Sequence, residues 1–206
     1  MDAPSDIPGS KSLIRLVVGL GNPGSRYAGT RHNLGFVALD ELARRQKLTW
    51  SPAPKHQSET ASWEFQPGRK ALIAKPQTYM NLSGQSVRSL CDSCKISPAE
   101  MLVVCDDCEI PLGELRIRPQ GGPGGHNGLA SIIEHCQTEA FPRLRLGIGP
   151  ADPTMDLSDF VLGRFRPEDK VPIENLTNRA VSAITTSLSH SLERAMNEFN
   201  RKQLNP

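Results

Sequence analysis

The chain contains 206 residues, of which 37% are hydrophobic and 22% are charged, a composition typical of globular proteins rather than disordered or fibrous ones. No apolar run approaches the roughly 20 residues that a membrane-spanning helix needs, so we expect no membrane segment. A net charge of +2 permits a polyanionic partner without requiring one, so nucleic-acid binding would depend on where Arg and Lys lie.

The N-terminal segment differs in character from the rest of the chain. Residues 1–12, MDAPSDIPGSKS, contain two Asp, two Pro and no apolar core. Secretory and organellar signals have a different composition, so we expect a flexible tail followed by one domain over residues 13–206. The lack of an export signal favours a cytoplasmic location, with an organellar one left open.

The first half of the chain predicts two buried strands and two helices. Residues 13–20, LIRLVVGL, form a continuous apolar run, and residues 70–76 form a second, shorter one. Residues 33–47 carry apolar side chains at helical spacing. After the second strand, Asn81 is a candidate cap for another helix. The apolar stripe of that helix consists of Val87, Leu90, Cys91 and Cys94.

The second half predicts three more strands and two more helices. Residues 101–105, MLVVC, form an apolar strand, and residues 115–119 and 143–149 alternate apolar residues with Arg, as in a strand with one solvent-exposed face. Residues 129–136 predict a short helix. One long final helix is predicted by an apolar stripe that consists of Ile173, Leu176, Ala180, Ile184, Leu188, Leu192, Met196 and Phe199.

This alternation of strands and helices predicts the α/β class. We expect a single-domain, mixed, mainly parallel twisted sheet with helices on both faces. Residues 150–158, PADPTMDLS, predict a surface loop that could act as a lid.

The cysteines raise the question of a zinc site. Cys91 and Cys94, like Cys105 and Cys108, have the spacing of half a zinc site. The first pair closes a predicted helix, and neither pair has the Gly-containing turn that usually brings two thiolates to one metal. We therefore expect reduced thiols and no metal.

A glycine-rich loop follows the first strand. The run from Gly19 to Gly24 satisfies G-x-G-x-x-G, which would suggest a nicotinamide-dependent oxidoreductase. That fingerprint needs a helix starting at the third glycine, but no helical pattern begins before about Asn33. Pro23 also removes an N–H donor from the loop. The match is therefore only formal, and the rival hypothesis of a dinucleotide enzyme would be excluded by failure to bind the cofactor.

Polar residues follow several predicted strands. Asn22 comes directly after the first strand, His32 precedes the first helix, and the segments 78–81, 105–109 and 121–128 each deliver an Asn or Asp. Open α/β sheets place their sites at the carboxyl ends of strands. A His can remove a proton from water, an Asp can hold its tautomer, and carboxamides can bind an oxyanion. The pattern indicates hydrolysis by water, without a Ser or Cys nucleophile.

Six segments together resemble the bacterial-type peptidyl-tRNA hydrolase family, in family order from about residue 16 to 165. They read GLGNPGSRYAGTRHNLGF, KPQTYMNLSGQSV, DDCEIPLGELRIR, GGHNGL, FPRLRLGIG and DFVLGRF. The resemblance implies a monomeric, metal-free and cofactor-free hydrolase of the ester in peptidyl-tRNA. The alternative is a catalytically silent RNA-binding adaptor on the same scaffold, which hydrolysis by the purified chain would exclude.

The resemblance also implies roles for the polar residues. His32 is expected to be the general base, Asp106 to stabilise its working form, and Asn22 to contact the peptide. Asn81 and Asn127 are expected to bind the peptide or the tRNA end and to help hold the water.

Further residues match positions at which the family contacts tRNA. Tyr27, Tyr79 and Met80 are expected at the tRNA end, where tyrosine rings can stack on an exposed base; the alternative for both rings is core packing. Arg118 and Arg145 are expected to clamp the tRNA 5′ phosphate; the alternative is a simple solvated face.

Some positions depart from the family or stand outside its roles. Pro119, Gln120 and Pro123 differ from the family pattern in and just before a second glycine-rich loop, residues 121–128. The prolines would stiffen this loop. Asp107 and Cys108 also vary within their segment. His126 is expected to be structural, because neighbouring glycines suggest close backbone approach.

Overall fold

The computed structural model describes residues 14–151 and 154–201, so the predicted tail of residues 1–12 lies outside the described residues. The strands of these ranges form one seven-stranded sheet in the order β2-β3-β4-β1-β5-β7-β6. They are β1 Leu16–Gly19, β2 Ser51–Ala53, β3 Ser58–Gln66, β4 Arg69–Pro76, β5 Met101–Pro111, β6 Leu115–Arg118 and β7 Arg143–Gly149.

The sheet is mixed, as the sequence predicts. The four central strands β4, β1, β5 and β7 are parallel to one another, whereas β2, β3 and β6 are antiparallel to their neighbours. The parallel strands are joined by helical crossovers, which parallel neighbours require. Their carboxyl ends therefore lie along one edge of the sheet.

Helices cover both faces of the sheet, which confirms the predicted α/β architecture. They are α1 Leu34–Gln46, α2 Ser83–Cys94, α3 Asn127–Cys136, α4 Leu157–Leu162, α5 Lys170–Ser189 and α6 Leu192–Phe199. Apolar residues of α1, α4, α5 and α6 bury one face. Those of α2 and α3 bury the other. Within the described ranges, no helix is long and apolar enough to cross a membrane.

The long predicted C-terminal helix is in fact two helices. Helix α5 ends at Ser189, and α6 starts after Ser191, whose hydroxyl accepts a hydrogen bond from the Arg194 N–H at 3.1 Å. Serine is a preferred N-cap residue, and this cap explains the break. The apolar stripe continues across the break because both helices pack on the same core. Asn200, just after α6, then pairs its side-chain amide with the backbone of Ile117 on the edge strand β6.

Two further local predictions are wrong, and a third differs at one boundary. Asn81 does not cap α2: it lies in the short 3₁₀ turn Met80–Leu82, and no side chain caps the helix. Cys94 is exposed rather than part of the apolar stripe. The predicted loop of residues 150–158 ends two residues early, because α4 begins at Leu157; its residues 152–153 lie outside the described residues.

Two glycines bring α1 directly against the centre of the sheet. A Cβ atom on Gly35 would lie 2.4 Å from the carbonyl oxygen of Val104, and one on Gly19 would lie 2.5 Å from the Gly35 oxygen. Any larger residue would push the helix away. This close contact fixes the start of α1, and with it His32, beside the ends of β1 and β5.

Candidate active site

A cleft of about 570 Å³ opens at the carboxyl ends of the central strands. Eight residues predicted for the site line this cleft: Asn22, Tyr27, His32, Tyr79, Met80, Asn81, Asp106 and Asn127. They come from segments far apart in sequence, which the parallel strand order brings to one edge. Arg118 and Arg145, also predicted for the site, do not line the cleft.

His32 and Asp106 form a buried pair at the base of the cleft. His32 lies in the 3₁₀ turn before α1, and Asp106 lies on β5. The Nδ1 atom of His32 is 3.0 Å from both carboxylate oxygens of Asp106. Because a carboxylate only accepts, Nδ1 carries the proton, and the lone pair of neutral His32 is therefore on Nε2.

His126 is a second imidazole on the same carboxylate. Its Nε2 lies 3.2 Å from Asp106 Oδ1, and its ring centroid lies 4.8 Å from that of His32. His126 also caps α3, as its Nδ1 accepts from the N–H groups of Gly128 and Leu129. The expected structural role is thus present, but the contact with Asp106 had no signal in the sequence.

The environment of Asp106 favours its ionised form. Burial alone would raise the pKa of the Asp106 carboxyl, but the His126 and His32 imidazoles outweigh burial and hold this pKa below its usual range. Asp106 is therefore a carboxylate at neutral pH, able to orient His32 and to stabilise its protonated form.

Asn22 is held firmly by its neighbours. The side chain of Asn33 accepts from the Asn22 N–H and donates to the Asn22 carbonyl, both at 2.9 Å. The Asn22 Oδ1 accepts from the Met80 N–H at 2.7 Å. In the described ranges no residue accepts from Asn22 Nδ2, which is thus available to a ligand. Sequence reasoning missed Asn33, since nothing marks it as different from other asparagines.

The mouth of the cleft is polar and aromatic on one side. Asn81, in the 3₁₀ turn Met80–Leu82, and Asn127, the first residue of α3, are exposed there. Tyr79 is 57% exposed and meets the partly buried Tyr27 edge to face, with ring centroids 6.3 Å apart. An exposed aromatic edge of this kind can stack on a base or a side chain.

The opposite side of the cleft is an apolar wall from α4. Leu157, Val161 and Leu162 line it, and Leu157 and Leu162 are partly exposed. The wall is anchored by Arg31, whose guanidinium donates to the Phe160 carbonyl and lies 4.6 Å above the Phe160 ring. The residue next to His32 therefore ties α4 to the base of the site.

The two predicted clamp arginines lie on the same face of neighbouring strands. Arg118 pairs in register with Arg143, and Arg116 with Arg145, so these side chains project to one side of the sheet. Arg118 is exposed, and Arg145 forms an ion pair with Asp107 at the cleft wall. Arg145 thus lies beside the cleft, and neither arginine lines it.

This arrangement supplies the groups that a hydrolase needs to activate water. A His–Asp pair lies at the base of an open cleft with carboxamides around it, and no Ser or Cys among the described residues hydrogen-bonds to His32. Cys108 lines the cleft, but burial raises the pKa of its thiol, which disfavours the nucleophilic thiolate. Among the described residues, His32, Asp106 and His126 form a group whose possible metal-ligand atoms lie within 4.8 Å of one another.

Comparison with known proteins identifies the family. The model of the peptidyl-tRNA hydrolase family matches residues 16–206. The peptidyl-tRNA hydrolase of Chloroflexus aurantiacus is 48% identical over 90% of this chain and 98% of its own length. That of Gloeobacter violaceus is 43% identical over 92% and 95%. The crystal structure of the Acinetobacter baumannii peptidyl-tRNA hydrolase superposes with a TM-score of 0.86 at 35% identity, over 93% of this chain and 97% of that one. The chain belongs to the peptidyl-tRNA hydrolase family.

Proposed function

We propose that this chain hydrolyses the ester bond between a peptide and the 3′ end of its tRNA, releasing both. The observation that carries this proposal is the His32–Asp106 pair at the base of the cleft, in a chain of this family. The intact pair disfavours a silent RNA-binding adaptor.

His32 acts as the general base. Its Nε2 takes a proton from water as the oxygen of that water attacks the ester carbonyl, while Asp106 stabilises the imidazolium that forms. The developing oxyanion is stabilised by carboxamide N–H donors at the cleft mouth. The imidazolium then gives its proton to the departing 3′ oxygen of the tRNA as the ester bond breaks, which forms the free 3′ hydroxyl.

The surrounding residues bind the two halves of the substrate. Asn22 offers its free Nδ2 to the peptide, and its fixed position suits it to distinguish a peptide from a free amino group. Asn81 and Asn127 hold the peptide or the tRNA end and the attacking water. Tyr27, Tyr79 and Met80 contact the tRNA end.

Arg118 and Arg145 lie outside the cleft, where they can clamp the 5′ phosphate of the tRNA. We also propose that the active form is a monomer. A cytoplasmic location is part of the same proposal.

The test is release of an N-acetylated amino acid from tRNA by the purified chain. Cleavage should continue in EDTA, fall at least about a hundredfold in His32→Ala, and spare free aminoacyl-tRNA. His190→Ala, which changes an exposed histidine beyond α5, is the matched control. A folded parent chain that binds tRNA without cleaving it would instead support the adaptor.

A further inference from the structure

The proton of His126 is fixed by the start of helix α3. Two backbone N–H groups, from Gly128 and Leu129, point to its Nδ1 at 3.1 and 3.3 Å. Nδ1 must therefore be unprotonated, and the ring of neutral His126 carries its proton on Nε2.

This proton is directed at Asp106. His126 Nε2 is 3.2 Å from Oδ1, the same oxygen that lies 3.0 Å from His32 Nδ1. Asp106 is only 3% exposed, so its charge is shared between two imidazole donors with little help from water. A donor that stabilises the carboxylate weakens its pull on the proton of the other imidazole.

We propose that His126 is a positioning residue that sets the pH range in which His32 works as a base. It acts through Asp106. Its Nε2–H donates to the carboxylate, so the negative charge of Asp106 does not act on His32 alone. The inference rests on the proposed function, because it assigns His126 a role in the same reaction.

Other titratable groups lie near the cluster of His32, Asp106 and His126. Asp107 and Cys108 follow Asp106 on β5, and Arg145 on β7 is engaged by Asp107. Cys105 precedes Asp106 in the strand and is buried. Across the cleft the phenols are Tyr27 and Tyr79. Only His126 and His32 form a hydrogen bond with the Asp106 carboxylate among the described residues.

The test variant is His126→Asn. Asparagine is a preferred N-cap, so it can keep the cap of α3, but its shorter side chain cannot cap the helix and also reach Asp106. The acidic limb of the pH profile of kcat/KM should move upward by about one pH unit, because hydrogen bonds to charged groups have about that strength. At pH values below the midpoint of this limb, kcat/KM should fall about tenfold, whereas kcat/KM on the plateau above the limb should change little.

A merely structural role predicts a different result. Losing only a helix cap would lower the melting temperature and reduce activity equally at all pH values. His126→Ala loses the cap and the donor together, so it should show both the limb shift and a melting temperature lower by a few degrees. An unmoved limb in both variants would overturn the proposal.

A double variant tests the route through Asp106. In an Asp106→Asn background, His126→Asn should cause no further shift of the limb, whereas an equal shift would contradict action through Asp106. The His32 ring can also be titrated by NMR in the parent and in His126→Asn, without any substrate. An inactive parent would reject the proposed function, whereas an unchanged NMR titration would reject only the role of His126.

Discussion

Asn33 shows how one carboxamide can prepare another for binding. It satisfies both backbone groups of Asn22, and the Met80 N–H occupies the Asn22 Oδ1. The only open polar group of Asn22 in the described structure is therefore a donor. Such preorganisation lowers the cost of fixing the donor when the substrate binds.

Replacing Asn33 with Ala should lower kcat/KM by about tenfold or more, because two buried backbone groups lose their partners and Asn22 becomes mobile. Discrimination against free aminoacyl-tRNA should weaken in parallel. The measurement is kcat/KM for both substrates, with Asn197→Ala on the exposed side of α6 as control. Unchanged kinetics would show that Asn22 is positioned by other contacts.

The residues of the site differ in how far the sequence could predict them. His32, Asp106 and Asn22 stand at predicted ends of strands or helices, so pattern and family resemblance bring them to one edge. Asn33 and His126 act through side-chain hydrogen bonds whose partners are 11 and 20 residues away. Such contacts depend on the orientation of individual side chains, which no periodicity encodes.

Among the elements, α4 combines a short length with a strong anchor. Its C-terminal end is held by Arg31 through a hydrogen bond and through contacts with the rings of Phe160 and Phe165. At its N-terminal end, Asp156 caps the helix by accepting from the N–H groups of Ser158 and Asp159. The contacts of Arg31 therefore hold the end of α4 that carries Val161 and Leu162 of the cleft wall.

Arg31→Ala should loosen this wall. We expect amide hydrogen exchange in α4 to become at least about tenfold faster, because a hydrogen bond and cation–π contacts each contribute roughly 1 kcal/mol. Exchange in α2 should not change. The control is Arg88→Ala, which removes an exposed ion pair with Asp92. Exchange that rises equally throughout the protein would indicate a general loss of stability instead.

The pattern of apolar residues predicted the central strands and most helices well. The antiparallel strands β2 and β3 had no predicted counterpart, because β2 has only three residues and β3 alternates polar residues with few large apolar ones. The break between α5 and α6 was missed for the opposite reason. The apolar stripe passes through it unchanged, while the decisive signal is a single capping serine, Ser191.

At the scale of the whole molecule, a net charge of +2 gives little general attraction for RNA. Local placement matters more: Arg116, Arg118, Arg143 and Arg145 share one face of β6 and β7 beside the cleft. Of these, Arg143 is buried and donates to the carbonyls of Gly122 and Glu139. It therefore supports the glycine-rich loop of residues 121–128 instead of facing a ligand. In the proposed function, contact with RNA on this face therefore falls to Arg116, Arg118 and Arg145.

Arg145→Ala should raise KM about tenfold for peptidyl-tRNA that carries a 5′ phosphate, and should weaken the salt dependence of binding. The effect should be much smaller on the same substrate after dephosphorylation. Arg44→Ala, on the exposed side of α1, controls for the loss of one positive charge. An equal rise in KM for both substrates would remove the phosphate clamp from the proposal.

The strand order has a consequence for synthesis of the protein. Strand β1 lies between β4 and β5, so its final neighbours come more than 50 and 80 residues later in the chain. One face of the sheet also waits for α5 and α6, the last helices described. Long-range pairing of this kind is completed late in folding. Helix α4, which lines the cleft, ends at Leu162, so a copy of this chain still under translation lacks one wall of the cleft until that residue has been made.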